Sequence, residues 1–330
     1  MRSIRVLIAA LLVAALSAGL AGCMRDRARD ESTTWQLSNA EGERPDLPEK
    51  LKIGEEGIPV LKVYDAKAES IDEMDVETYV AGVVAGEMKN DWPMEALKAQ
   101  AILARTFVLK FCQDKDSKYD GADISTDVSE AQAYAPGSVN DRVKRAVSET
   151  RGLVMAWEGE YPNAWFHAHS GGMTELPSVA LEYKGGDPEY LKPTASEESD
   201  KAPESAANWT ATFTAEQVQK ACADAGVKVD AVKRVELGEK GASGRAKEIL
   251  VNGEAVSVPS FRIQIGANRL RSTLIDEVSV EDGKVTFKGR GFGHGVGLSQ
   301  WGAYKLAEDG EDAKAILQKY FPGVDIVEMW

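Results

Sequence analysis

The chain is poor in the residues that metal and redox chemistry use, with 3 cysteines and 3 histidines among 330 residues. Cys23 ends the N-terminal apolar run, which leaves only Cys112 and Cys222. Two isolated cysteines cannot build a zinc cluster, and both fall on the apolar stripe of an expected helix, so they read as buried thiols rather than a disulfide. Basic residues are also scarce. The 39 Lys and Arg face 53 Asp and Glu, a formal charge of −14. A surface this acidic argues against nucleic acid as a partner and against holding anionic polymers by general attraction.

What is present begins with an address. Arg2 and Arg5 precede an apolar run over 6–16, and small residues lead to Leu20-Ala21-Gly22-Cys23. Residues 1–22 are expected to be a secretory signal, too short for a spanning helix. The end of the run resembles a bacterial lipobox, which implies cleavage before Cys23 and a lipid attached to it. The expectation is an exported protein, lipid-anchored to a bacterial membrane and facing the cell wall. Loss of two arginines with residues 1–22 takes the charge from −14 to −16. Residues 23–50 lack apolar periodicity and read as a tether, which if flexible reaches about 30 Å. Residues 51–330 are left as the folded core, at 43% apolar content over the whole chain.

Within that core, a helix is expected to open at Asp75 and carry Val76, Val80, Val83 and Glu87 on one stripe, which puts a carboxylate on the face to be buried. Pro93 starts the next helix, so Glu87 also sits in a last turn, where backbone carbonyls disfavour negative charge. Both effects favour the protonated form that a general acid needs near neutral pH. A structural ion pair with Lys98 or Arg105 is the plainer alternative. The second helix has a stripe of Leu97, Ala101, Ala104, Val108 and Phe111, with Gln100 and Arg105 off it and expected to face the Glu87 loop. Short strands are expected at 60–64, 132–134, 152–157 and 164–167, with a helix over 139–150. Residues 185–208 read as a surface loop. Thr214-Ala215-Glu216-Gln217 fits a capped helix start, and strands are expected at 232–237, 248–251 and 284–289. Strands and helices do not alternate regularly, so the fold class is α+β, mixed short strands and helices, with a second lobe at about 209–288.

The histidines lie in two glycine-rich segments. One is Trp165-Phe166-His167-Ala168-His169-Ser170-Gly171-Gly172-Met173-Thr174, and the other runs from Gly289 to Ala303 with His294 inside it. Glycine occupies every other position from Gly289 to Gly297, so an extended strand there would have one bare face, useful only where something approaches the backbone. Ser299 is then expected to cap a helix.

These segments carry a resemblance. The chain resembles, over about residues 58–330, the peptidoglycan lytic transglycosylase family typified by stage II sporulation protein D, which also includes amidase enhancers. The likeness rests on Tyr79-Val80-x-Gly82-Val83-Val84-x-x-Glu87-Met88, Pro93-x-Glu95-Ala96-Leu97-Lys98-Ala99-Gln100-Ala101-x-x-Ala104-Arg105-Thr106, Gln132-Ala133-Tyr134, Phe166-His167-x-x-Ser170-Gly171-Gly172-x-Thr174 and the Gly289 to Ala303 segment. It implies cleavage of the MurNAc-GlcNAc β-1,4 bond with formation of 1,6-anhydro-MurNAc. Glu87 would be the catalytic acid and then base, and no cofactor would be needed.

The fold is read as two lobes around a glycan cleft, with Gln100, Arg105, Gln132, Tyr134, His167, Ser170, His294, Ser299, Gln300 and Trp301 as substrate-binding candidates. Trp165 reads as core. The expected partners are glycan strands, the membrane through Cys23, and other wall hydrolases. A non-catalytic, glycan-binding amidase enhancer is the alternative. His167, His169 and His294 also have the donor types of a zinc site, without an identifiable carboxylate. His169 stands where the family more often has Ser or Thr. The lipid anchor replaces the family's transmembrane segment.

Overall fold

The computed structural model describes residues 42–330. The signal, Cys23 and most of the tether lie outside the described residues. Helix α1 (Val76–Glu87) packs on α2 (Met94–Asp114), and α3 (Asp141–Glu149) lies against both. The short α4 (Pro177–Ala180) and α5 (Glu204–Ala207) are followed by α6 (Ala215–Asp224), α7 (Val258–Ile265), α8 (Gln300–Glu308) and α9 (Ala313–Tyr320). Local signals set these boundaries. The Asp75 carboxylate accepts the Thr78 N–H and starts α1, while Thr214 and Gln217 cap each other at the start of α6.

The strands form several small sheets, an α+β arrangement as expected. Pro59–Asp65 pairs antiparallel with Lys52–Ile53 and Ser70–Asp75, and parallel with Ile124–Ser125. Lys284–Arg290 lies between Asn208–Thr214 and Ile275–Glu281, and Glu248–Val251 lies between Val235–Leu237 and Glu254–Ser257. Among the described residues two further two-stranded pairs form, Phe166–His167 with Leu298–Ser299, and Leu153–Ala156 with Asp325–Glu328.

Hydrophobic cores form in two regions of the described residues. One joins α1, α2 and α3 through Val80, Val83, Leu97, Val108 and Val143, and the other, through Phe213, Cys222, Ile249, Phe261 and Phe287, fills the region of the expected second lobe. Both belong to one compact unit. Cys112 and Cys222 are free, buried thiols, and burial pushes Cys112 up to about 12.

Three sequence expectations need correction. Residues 132–134 are not a strand; the backbone of 133–135 bonds to α1 instead, Ala133 N–H to the Glu87 carboxylate and Ala135 N–H to the Gly82 carbonyl. The glycine segment is not extended from Gly291 to Gly297. Gly291, Gly293, Gly295 and Gly297 all take positive φ, from 68° to 106°, so alternate glycines turn the chain repeatedly instead of baring one face of a strand. Residues 185–208 are not all surface, since Ser196 and Ser199 are buried and Glu198 reaches inward to Ser170 and Ser299.

Candidate active site

Glu87 is the last residue of α1, half-buried, with its Oε1 accepting the Ala133 N–H at 2.6 Å. Two glycines on the same helix make this approach feasible. A Cβ on Gly86 would lie 2.6 Å from the Ala133 carbonyl oxygen, and one on Gly82 would lie 2.2 Å from the Tyr134 ring. Gly82 and Gly86 are one turn apart, so they leave a groove on α1 in which 133–135 is seated. Burial raises the Glu87 pKa above its usual value, and the Ala133 N–H and the Gln300 amide partly offset it.

Gln300 links Glu87 to the second glycine-rich segment. Its amide donates to the Glu87 backbone carbonyl at 3.2 Å and lies 3.5 Å from Oε1 of Gln100 on α2. Gln100 and Gln132 are buried, and the Gln132 amide has no hydrogen-bond partner among the described residues. Buried amides with unmet bonds are places for an ordered water or a ligand group. The structure thus brings Glu87, Gln100 and Gln300 together, with Gln132 next to the residue that bonds the acid.

The histidine segments meet each other through strand pairing of His167 with Ser299 and a His169–Phe292 bridge. The close approach that the glycines permit is to other chain segments. A Cβ on Gly293 would be 2.6 Å from the His167 Cβ, one on Gly297 2.1 Å from the Trp165 carbonyl oxygen, and one on Gly295 2.2 Å from the Arg245 guanidinium. The rings of His167 and His294 are 5.7 Å apart.

Their tautomers follow from their partners. His167 Nδ1 faces the Val296 carbonyl at 3.1 Å and must carry the proton, whereas His294 Nδ1 accepts the Val296 N–H at 3.0 Å and must not. His169 Nδ1 likewise accepts the Gly171 N–H at 3.0 Å. Burial lowers all three, His294 to about 3, helped by the guanidinium groups of Arg262 and Arg245. Among the described residues no group of three or more His, Cys, Asp or Glu is placed to hold a metal ion.

Other candidates are engaged elsewhere. Ser170 and Ser299 are fully buried, and both hydroxyls donate to Glu198 while accepting the backbone N–H groups of Gly172 and Gly302. Trp301 packs against Trp92 at 4.5 Å and Tyr304 at 5.2 Å, with Tyr304 only half-buried. Trp165 stands edge-on to Tyr183. Tyr134 stacks on Tyr79 at 5.5 Å and covers Gly82.

Arg105 is not brought to Glu87. Its guanidinium is fully buried, pairs with both oxygens of Glu77 and donates to the Leu153 carbonyl. Glu77 is ten residues up α1, about 15 Å from Glu87 at the helical rise. Sequence reading missed Glu198. Nothing local marks it, since its partners come from two segments distant in the chain.

A family model described as a stage II sporulation protein matches residues 64–157, the span from the first sheet through α1, α2 and α3. Stage II sporulation protein D of Bacillus amyloliquefaciens is 30% identical over 321 residues, which covers 93% of this chain and 88% of that protein. The chain belongs to the stage II sporulation protein D family. The Bacillus subtilis (strain 168) protein of the same name is also 30% identical, over 85% of this chain and 81% of its own length. The amidase enhancer of Bacillus subtilis is 28% identical over 74% of this chain, which spans 40% of that larger protein. A second model, for a domain of unknown function, matches residues 184–297 and so covers Glu198, most of the second core and His294.

Proposed function

We propose that this family member is a peptidoglycan lytic transglycosylase that cleaves the MurNAc-GlcNAc bond without water. Glu87 carries the proposal: its carboxyl is partly withdrawn from water, its pKa is raised, and it is held by a fixed N–H beside an amide pair. A raised pKa favours the protonated form that a general acid needs. It would protonate the glycosidic oxygen as the bond breaks. The resulting carboxylate would accept the proton of the muramyl C6 hydroxyl as that oxygen closes on C1, leaving a 1,6-anhydro ring and a free GlcNAc hydroxyl. One carboxyl suffices, and no cofactor enters the chemistry. Family membership supports a role in wall remodelling, and the relatives' names support sporulation as its setting. We propose further that Cys23 is lipidated and tethers the exported enzyme to a membrane.

Digestion of purified glycan strands followed by mass spectrometry tests the reaction. Anhydro-muramyl ends are expected from the wild type and none from Glu87→Gln; equal cleavage by both would overturn the role of Glu87. The second reading is a glycan-holding protein that stimulates an amidase, supported by the relative named amidase enhancer. It predicts glycan binding and amidase stimulation that survive Glu87→Gln, with no new ends in either case.

A further inference from the structure

A recess without a role in the proposed chemistry lies on another face of α1. It has a volume of about 600 Å³, within the range of small-molecule sites. Ala81 of α1, Val147 of α3, Val139 and the Tyr134 ring give it apolar walls, and Lys144 and Arg151 stand at its rim.

The charges at this recess do not cancel. Glu77 also borders it, but its carboxylate is spent on Arg105, the Gly152 N–H and the Trp330 indole. Lys144 faces Asp141 at 3.8 Å with both side chains largely in solvent, where such a pair contributes little, whereas Arg151 is 38% exposed and is held by Glu56 at 2.9 Å. The rim therefore keeps one loosely paired cation, Lys144, beside the Glu56-bound Arg151, in a chain whose net charge is −14. Apolar walls below and cations above complement one chemistry, a compact apolar body with a single anionic group.

We propose that this recess is a second ligand site, for a small amphipathic anion such as an aromatic sulfonate or a medium-chain carboxylate. The proposal does not depend on the transglycosylase reading. Its occupant would touch the segment that bonds Glu87, because Tyr134 forms one wall while Ala133 beside it donates to the acid.

Anilinonaphthalene sulfonate is a direct probe, read by its fluorescence on titration with the full chain. Saturable one-to-one binding is expected, displaced by octanoate and weakened by added salt. Ser148→Trp, at an exposed position on the α3 side of the recess, should fill the space and abolish binding. Lys144→Glu with Arg151→Glu should weaken it several-fold without changing the circular dichroism spectrum. Non-saturable binding, or binding unchanged in the folded Ser148→Trp protein, would overturn the proposal. Ala81→Trp fills the same space from α1 and must agree with Ser148→Trp.

Discussion

The Ala133 N–H donates to the Glu87 carboxylate at 2.6 Å, and this bond fixes the end of α1 to a segment 46 residues further along the chain. It has opposing consequences. A hydrogen bond to the charged form favours ionisation, yet seating the segment on α1 withdraws the carboxyl from water, and burial prevails. The packing that raises the pKa of the acid therefore also holds it in place.

Gly86→Ala tests that packing. The new Cβ would meet a backbone carbonyl at 2.6 Å, which cannot swing away as a side chain would. Residues 133–135 should lift from α1, at a cost of about 1–3 kcal/mol by urea denaturation. Glycan cleavage per folded molecule should also fall, because Glu87 loses its N–H. An unchanged unfolding midpoint would show that the segment is looser than its contacts suggest.

Glu87→Gln should stabilise the protein near neutral pH. Glutamine keeps an acceptor for Ala133 but carries no charge to be buried. A folded-state pKa above the unfolded value of 4.5 means that the native acid gives its stability at low pH and loses it as pH rises through the native value. The advantage of the variant should thus appear above that value and vanish below about 4.5. Urea midpoints measured across this window check the sign, and a variant less stable at neutral pH would contradict a raised pKa.

These effects explain what could be read from the sequence. Helical spacing put Glu87 on a buried stripe, and Asp75, Thr214 and Ser299 marked helix starts, because periodicity and capping are local. Ser70–Asp75 was hidden since its exposed, acidic face shows no apolar alternation; hairpin pairing with Pro59–Asp65 holds it. Glycine at every second position fits a bare strand and a run of left-handed turns equally well, and only the neighbours at Gly293 to Gly297 decide between them. Arg105 and Glu198 were misread or missed because charge pairing across the fold leaves no periodic trace.

Arg105→Ala should be costly to the fold. It would leave Glu77, whose side chain is 13% exposed, without its counter-ion and the Leu153 carbonyl without the guanidinium. Breaking one side of a buried pair costs about 3–5 kcal/mol. Glu77→Gln with Arg105→Met should recover a large part of this, because no lone charge is then buried. Thermal melts of the single and double variants check the coupling. A folded Arg105→Ala protein that loses only glycan affinity would restore the substrate-binding role.

The histidine pair makes the opposite pH prediction from Glu87. His294 is depressed from 6.5 to about 3, and His167 lies well below 6.5, first through burial and then through His294 and Arg245. A depressed imidazole gives stability above the unfolded value, and that stability is lost as pH falls from 6.5 toward the native value, because only the unfolded chain takes up the proton. Each group contributes a slope of up to about 1.4 kcal/mol per pH unit. His294→Asn keeps an acceptor for the Val296 N–H without a titrating ring, so its stability should fall less steeply on acidification. Nitrogen NMR should show His167 protonated on Nδ1 and His294 on Nε2 throughout that window. An imidazolium signal from either ring at pH 6.5 would mean that the two glycine-rich segments open to water, and their mutual burial could no longer be what positions Gln300 beside Glu87.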